Sequence, residues 1–327
     1  MMDSQLKNIL VNFKAFFTTN LKKRINENSA RITRLEEMAC VLDQRMTMKY
    51  HYLNLLDYYG RHQEEAKTYQ KELNYIQHHG EYCNFPYKSV SMPESVEYGF
   101  DQEVQMPYVV HQNKKLYFKQ DQLPEEALGL YKNYLQTERL LGTDDFDDVP
   151  HQYQSPRVKV ADGDVVFDIG AAEGLFALEQ IEKASHVVIV ESDPDWIKPL
   201  RLTFAPYGDK VTIVQKFVSA TDTDTTISLE KLLSNVEYDS AFVKMDIEGY
   251  ELQSLIPAEK VLRQKNSTKL SIASYHKQHD AEMMKSFFDN IGYYSEFSNG
   301  YMLFHLYDIP EPPYFRHGVI RGIKKEK

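Results

Sequence analysis

An α/β chain is what this sequence predicts: an open, mostly parallel sheet, preceded by a helical module and finished by an antiparallel hairpin. Three observations carry that expectation. From residue 160 onward, short apolar runs alternate regularly with helical stretches, the arrangement of parallel strands joined by crossover helices. The run "VVFDIGAAEG", residues 165 to 174, is an apolar strand that stops at an aspartate and turns through two glycines. Ahead of residue 85, apolar side chains instead follow the helical period.

The 327 residues are 42% hydrophobic and 26% charged, ordinary for a globular protein with one large domain and an appendage. A formal net charge of -10 makes general attraction to nucleic acid or anionic lipid unexpected, so no nucleic-acid partner is predicted. Cys40 and Cys83 form neither a disulfide framework nor a zinc pattern, which fits a reducing, cytoplasmic setting. Lys7, Asn8, Asn12 and Lys14 interrupt any secretory apolar core. No eighteen-residue apolar run occurs, and no transmembrane segment is expected.

Taken in order, Leu6, Ile9, Leu10, Phe13, Phe16, Phe17 and Leu21 predict an amphipathic helix. Ile32, Leu35, Ala39, Leu42 and Met46 predict a second helix, and the stretch from Arg61 to His78 a third. Residues 1–84 therefore read as an antiparallel helical module, able to cap the main domain or to form a homo-oligomer. Residues 85–149 read as a linker with accessory elements: a loop through "NFPYKSVSMPESVEYGFDQ", a short edge strand at "KKLYFKQ" and a helix opening at Pro124. Asp144 to Asp148 read as a solvated loop. Strands follow at 165–169, 186–191, 211–218, 240–246 and 269–275, and "GYYSEFSNGYMLFHLYD" reads as a hairpin around Ser-Asn-Gly. Residues 324–327 form a basic tail.

In such a sheet, ligands sit beyond the carboxyl ends of the strands, where the first strand turns into its helix. Gly170 and Gly174 let backbone N–H groups approach a ligand there. A pyrophosphate would call for G-x-G-x-x-G, whereas this turn is G-x-x-x-G, with Ala171, Ala172 and Glu173 between the glycines. Asp168 and Glu173 suit a cation, such as the ammonium and sulfonium of S-adenosylmethionine, better than a phosphate. Glu191 ends the second strand, where a carboxylate can accept from both ribose hydroxyls, and Ser192 follows it. Asp193 before Pro194 suits a helix N-cap, Trp196 a buried helix position or an adenine stack, and Ser219 the adenine edge.

In "AFVKMDIEGYELQSL", Asp246 and Glu248 would share one face of an extended chain beside a reacting methyl group. Either could orient a hydroxyl, take its proton or hold an ammonium, while Glu251 also suits a first helical turn and Lys244 a neighbouring acid. His276, ending the fifth strand in "SIASYHKQHD", has the ionisation of a proton acceptor near neutral pH; Tyr275, His279 and Asp280 suit a helix start equally. Whether a metal takes part is unknown from sequence, since His276 and His279 do not make a zinc set.

"VVFDIGAAEGLFAL", "VESDPDW", "VKMDIEGYEL" and "SYHKQHD", with "PHQY", "TFAPYGDKV" and a closing "RHGVIRG", together resemble the FkbM-type S-adenosylmethionine-dependent methyltransferases. The likeness spans residues 150–323. It implies a Rossmann-like class I methyltransferase sheet, S-adenosylmethionine as cofactor, and O-methylation of a sugar, polysaccharide or related metabolite. Carried over by position, it implies Asp168, Gly170 and Gly174 in the cofactor loop and Glu191 at the ribose, and places Asp246, Glu248 and Glu251 in the family's D-x-E-x-x-E stretch; Ala171, Ala172, Glu173, Ser192 and Ser219 complete the expected cofactor contacts. With His276, Asp246 and Glu248 would surround the reacting hydroxyl. A non-catalytic scaffold on the same fold and an NAD-dependent oxidoreductase are the competing expectations.

Overall fold

The computed structural model describes residues 31–32, 34–35, 38–43, 45–80, 82–87, 95–138, 149–265, 267–304 and 311–324. The chain divides into two compact units, Met1–Arg61 and His62–Lys327. In the first, the described residues up to 61 are helical, and Ile32, Leu35, Leu42 and Met46 of the periodic series stand exposed. The helix expected from Leu6 to Leu21 and the aspartates at 144–148 lie outside the described residues. Among the described residues, no helix is long and apolar enough to cross a membrane.

The second unit opens with helices Gln63–Ala66 and Gln70–His79. It continues into a three-stranded antiparallel sheet: β1 (Tyr98–Asp101), β2 (Met106–His111) and β3 (Lys114–Tyr117). Only β3 was expected from sequence; Tyr98–Asp101, read as loop, is a short, half-exposed strand whose weak apolar pattern hides it. Helix Pro124–Glu138 follows, with proline at its start where no N–H is lost.

The central sheet has the order β11-β14-β10-β9-β4-β5-β6. These strands are β4 (Val165–Ile169), β5 (His186–Glu191), β6 (Val211–Gln215), β9 (Ala241–Met245), β10 (Thr268–Ala273), β11 (Tyr293–Phe297) and β14 (Val319–Lys324). All pairings among β4, β5, β6, β9 and β10 are parallel, and β14 runs antiparallel to both β10 and β11. One antiparallel strand inserted near the end of an otherwise parallel, doubly covered sheet makes this a Rossmann-like class I methyltransferase fold. The expected hairpin is corrected in detail. Tyr293–Phe297 pairs with β14, while β12 (Met302–Leu303) pairs with β13 (Phe315–Arg316). The chain bends at Asn299 and Gly300, but the open edge of β14 offers β11 five ladder positions and β12 pairs at only two.

The strand expected over 211–218 also breaks. Its second part, β7 (Phe217–Ser219), leaves the sheet to pair with β8 (Thr226–Ser228). Every residue of β4 is buried, as a central parallel strand demands. Val166 packs into one core with helices Leu175–Gln180 and Pro194–Phe204; Val165, Phe167 and Ile169 pack into another with helices Leu229–Ser234, Glu259–Gln264 and Asp280–Asn290. One row of the sheet is polar. Asp168, Lys244, Ser271 and Arg321 occupy successive register positions on β4, β9, β10 and β14. Ser271 Oγ donates to Tyr153 O at 2.6 Å and Arg321 to Gln154 O at 3.2 Å, so the row fastens the segment that leads into the domain.

Candidate active site

A cavity of about 300 Å³ opens beyond the carboxyl ends of β4, β5 and β9, lined by Gly170, Glu191, Ser192, Trp196, Phe217 and Asp246 among others. This is where an open α/β sheet binds its ligand. The turn after β4 depends on glycine. Gly170 has φ +71°, and a Cβ there would lie 1.8 Å from the Asp246 carbonyl oxygen; Ala172 follows at φ +47°. Glu191 braces this turn, its carboxylate accepting from Ala172 N and Asp193 N, each at 2.8 Å. Its oxygens keep lone pairs for further donors.

Of the predicted cofactor contacts, Gly170, Ala172, Glu191 and Ser192 line the cavity. Asp168, Ala171, Glu173, Gly174 and Ser219 are not among its lining residues. Asp168 is fully buried, 3.1 Å from Lys244 Nζ, and accepts from Ala177 N at 3.1 Å. Gly174 brings its helix close to Leu200 and Phe204. Glu173 is buried, and its carboxyl is pushed up to about 7 by desolvation. Ser219 Oγ donates to Thr221 O within its own turn. Trp196 is buried in its helix and also lines the cavity, with Lys119 Nζ 4.8 Å from its ring centre. Asp193 is the N-cap of that helix, accepting from Asp195 N at 2.9 Å. Lys216, Phe217 and Val218 line the cavity too; the break between β6 and β7 that turns them there left no mark in the sequence.

Asp246 is where chemistry-bearing groups converge. Tyr153 Oη donates to its Oδ2 at 2.6 Å and Tyr275 Oη at 3.1 Å, while His151 Nε2 lies 3.3 Å from Oδ2 and His276 Nε2 3.4 Å from Oδ1. Burial opposes its ionisation, but His151, His276 and Lys244 hold the carboxyl well below the usual carboxylate range. Glu248, expected on the same face of an extended strand, sits instead in the turn after β9 at φ +59°, mostly exposed. Its Oε2 nevertheless reaches within 3.3 Å of His276 Nε2.

His276 is 1% exposed and engaged at both nitrogens, with Nδ1 3.1 Å from Glu251 Oε1. Asp246, Glu251 and His276 each bring a donor atom within 4.8 Å of the others. Carboxylates at both ring nitrogens are the surroundings of an imidazolium, however, and a metal would need one nitrogen stripped of its proton; we read an ion-paired cluster.

Burial alone would lower the His276 pKa, but Glu248, Glu251 and Asp246 push it up to about 10; the exposed Glu248 counts for least. An imidazole raised in the folded state stabilises fully below the unfolded value of about 6.5 and loses that contribution as pH climbs through the folded value. Urea unfolding at pH 7.5 and 9.5 should show stability falling by up to about 1.4 kcal/mol per pH unit. The decline should flatten in His276→Gln. An equal decline in the variant would place the titrating group elsewhere.

No family model matches the sequence, and no curated protein does. Solved structures do match. A precorrin-6y C5,15-methyltransferase of Geobacter metallireducens is 15% identical over 57% of this chain and 98% of that one, with a TM-score of 0.36. An S-adenosylmethionine-dependent O-methyltransferase of Thermotoga maritima is 13% identical over 52% and 63%, with a TM-score of 0.33. An rRNA methylase of Streptococcus thermophilus is 11% identical over 51% and 90%, with a TM-score of 0.32. Likeness at this level carries no functional argument, and the fold assignment rests on strand order and direction.

Proposed function

We propose that the chain is an S-adenosylmethionine-dependent methyltransferase of the FkbM type, transferring a methyl group to a hydroxyl of a sugar, polysaccharide or related metabolite. The observation that carries this is the charge around the strand ends. Glu191, Asp193, Asp246 and Glu248 line the cavity, with Lys216 the one Lys or Arg among its lining residues, and behind it the Lys244 ammonium is met by the buried Asp168 at 3.1 Å. An excess of carboxylates favours a ligand bearing ammonium and sulfonium and repels a pyrophosphate.

In this proposal Glu191 accepts from the ribose hydroxyls, the Gly170–Ala172 backbone lies against the donor's amino-acid end, and Trp196 and Phe217 flank the base. Bound there, S-adenosylmethionine supplies an electrophilic methyl group. Asp246, Glu248 and His276 border the place where an acceptor hydroxyl would be held, and the two tyrosine hydroxyls on Asp246 fix its orientation.

Calorimetry with S-adenosylhomocysteine tests the donor. We expect saturable binding that Glu191→Gln weakens about 10- to 100-fold, the worth of charge-assisted hydrogen bonds, with the melting temperature tracked to separate binding from loop damage. Thermal protection by NAD and none by S-adenosylhomocysteine would replace this reading with an oxidoreductase. Tight binding without methyl transfer to any fraction of a glycan extract would favour a scaffold.

A further inference from the structure

We infer that Lys119 is a positioning residue for the donor's base, and that through it the sheet β1–β3 is a working part of the donor site; this rests on the proposed methyl transfer. The exit of β3 lies along helix Pro194–Phe204, one residue after another. Tyr117 N donates to Thr203 Oγ1 at 3.0 Å, both residues buried. The ring of Phe118, fully buried, meets Trp196 edge-on with centres 6.2 Å apart. Lys119 Nζ donates to Asp193 Oδ2 at 2.6 Å, and Gln120 Oε1 accepts from Lys198 Nζ at 3.2 Å. Two of these four residues, Phe118 and Lys119, therefore reach side chains that line the cavity.

Lys119 holds both of those side chains at once. Its ammonium is paired with Asp193 and lies 4.8 Å from the Trp196 ring centre, within the distance at which a cation is drawn to an aromatic face. The other oxygen of Asp193 caps the helix, accepting from Asp195 N at 2.9 Å. Burial works against the Asp193 charge, but Lys119 and the Asp195 N–H hold the carboxyl below the ordinary aspartate range. With one oxygen on the helix start and one on the ammonium, the charge of Asp193 is answered from behind the wall. What this wall presents is an indole and a compensated carboxylate, which suits an uncharged purine. The turn bearing Asp246 and Glu248 follows β9, on the other side of β4 from this wall. A base resting against Trp196 thus directs the rest of the donor toward the place of transfer.

Lys115 supplies a matched comparison on the same strand. It too joins an ion pair, with Asp101 at 2.8 Å, and lies over an aromatic ring, 4.6 Å from the centre of Tyr108. Neither Asp101 nor Tyr108 lines the cavity.

Trp196 is the only tryptophan of the chain, so tryptophan emission reports on this wall alone. The test titrates the full chain with S-adenosylhomocysteine and with adenosine, in wild type, Lys119→Met and Lys115→Met, by calorimetry and tryptophan emission. Methionine keeps an unbranched apolar stem and removes the charge. We expect Lys119→Met to bind both ligands about 5- to 30-fold more weakly, by the same factor for each, and to open Trp196 to acrylamide quenching. Lys115→Met should keep both affinities within about 2-fold of wild type, with wild-type quenching, and the two variants should melt close together because both ion pairs are partly exposed. Unchanged affinity in Lys119→Met overturns the inference. So does an equal loss in Lys115→Met, which would make the sheet a support of stability only. A loss for S-adenosylhomocysteine that adenosine does not share also overturns it, by placing the effect at the amino-acid end. Failure of the wild type to bind either ligand would instead remove the donor reading, an outcome distinct from wild-type binding that Lys119→Met leaves unaltered.

Discussion

Gly170→Ala should abolish S-adenosylhomocysteine binding and cost more than about 4 kcal/mol of stability, a loss reserved for severe packing conflicts. The new Cβ would lie 1.8 Å from the Asp246 carbonyl oxygen and 2.8 Å from its carbon. Neither atom can swing aside, because Asp246 N donates to Ile169 O at 3.0 Å and binds the two strand exits together. Gly163→Ala is the control. Gly163 has φ +85°, and nothing lies within 4 Å of a Cβ there, so only the left-handed backbone cost of about 1–2 kcal/mol applies. Thermal unfolding of both variants, with calorimetry, separates the two effects. Equal losses would mean that backbone conformation, and not close approach, explains the glycine at 170.

Lys244→Met should destabilise by about 3–5 kcal/mol, the penalty for leaving a buried charge without its partner. Lys244 sits opposite Asp168 in register, 3.1 Å away, and also donates to Gly170 O at 2.6 Å. Burial works against its charge, but Asp168, Asp246 and Glu138 hold the ammonium protonated above the ordinary lysine range. Combining Asp168→Asn with Lys244→Met removes both charges and should recover part of the loss in urea unfolding. A double variant no better than the single one would show that the Gly170 carbonyl, and not the ion pair, is what Lys244 serves.

The parts legible in the sequence were those written in local periodicity. Apolar runs ending at Asp168, Glu191 and Asp246 located three strand exits, and G-x-x-x-G located the turn between the first strand and its helix. Long-range convergence was hidden. His151 and Tyr153 meet Asp246 across 95 and 93 residues, and no spacing rule joins them, although "PHQY" had marked the segment. Asp168 carried a strong signal, and the structure places it buried within its strand against Lys244, outside the lining of the cavity; sequence alone does not tell a carboxylate answered by a neighbouring lysine from one that meets a ligand. The hairpin was overread because a good turn specifies where a chain reverses, and competition for a sheet edge decides which strands then pair.

The polar row across the sheet has a consequence for how such a protein could diversify. It pins the stretch bearing His151 and Tyr153 to strands β10 and β14, whereas the cavity is built at the tips of β4, β5 and β9. The segment bearing His151 and Tyr153 and the cavity thus have separate foundations that meet at Asp246. Loops flanking the first could be exchanged while the second stays unaltered.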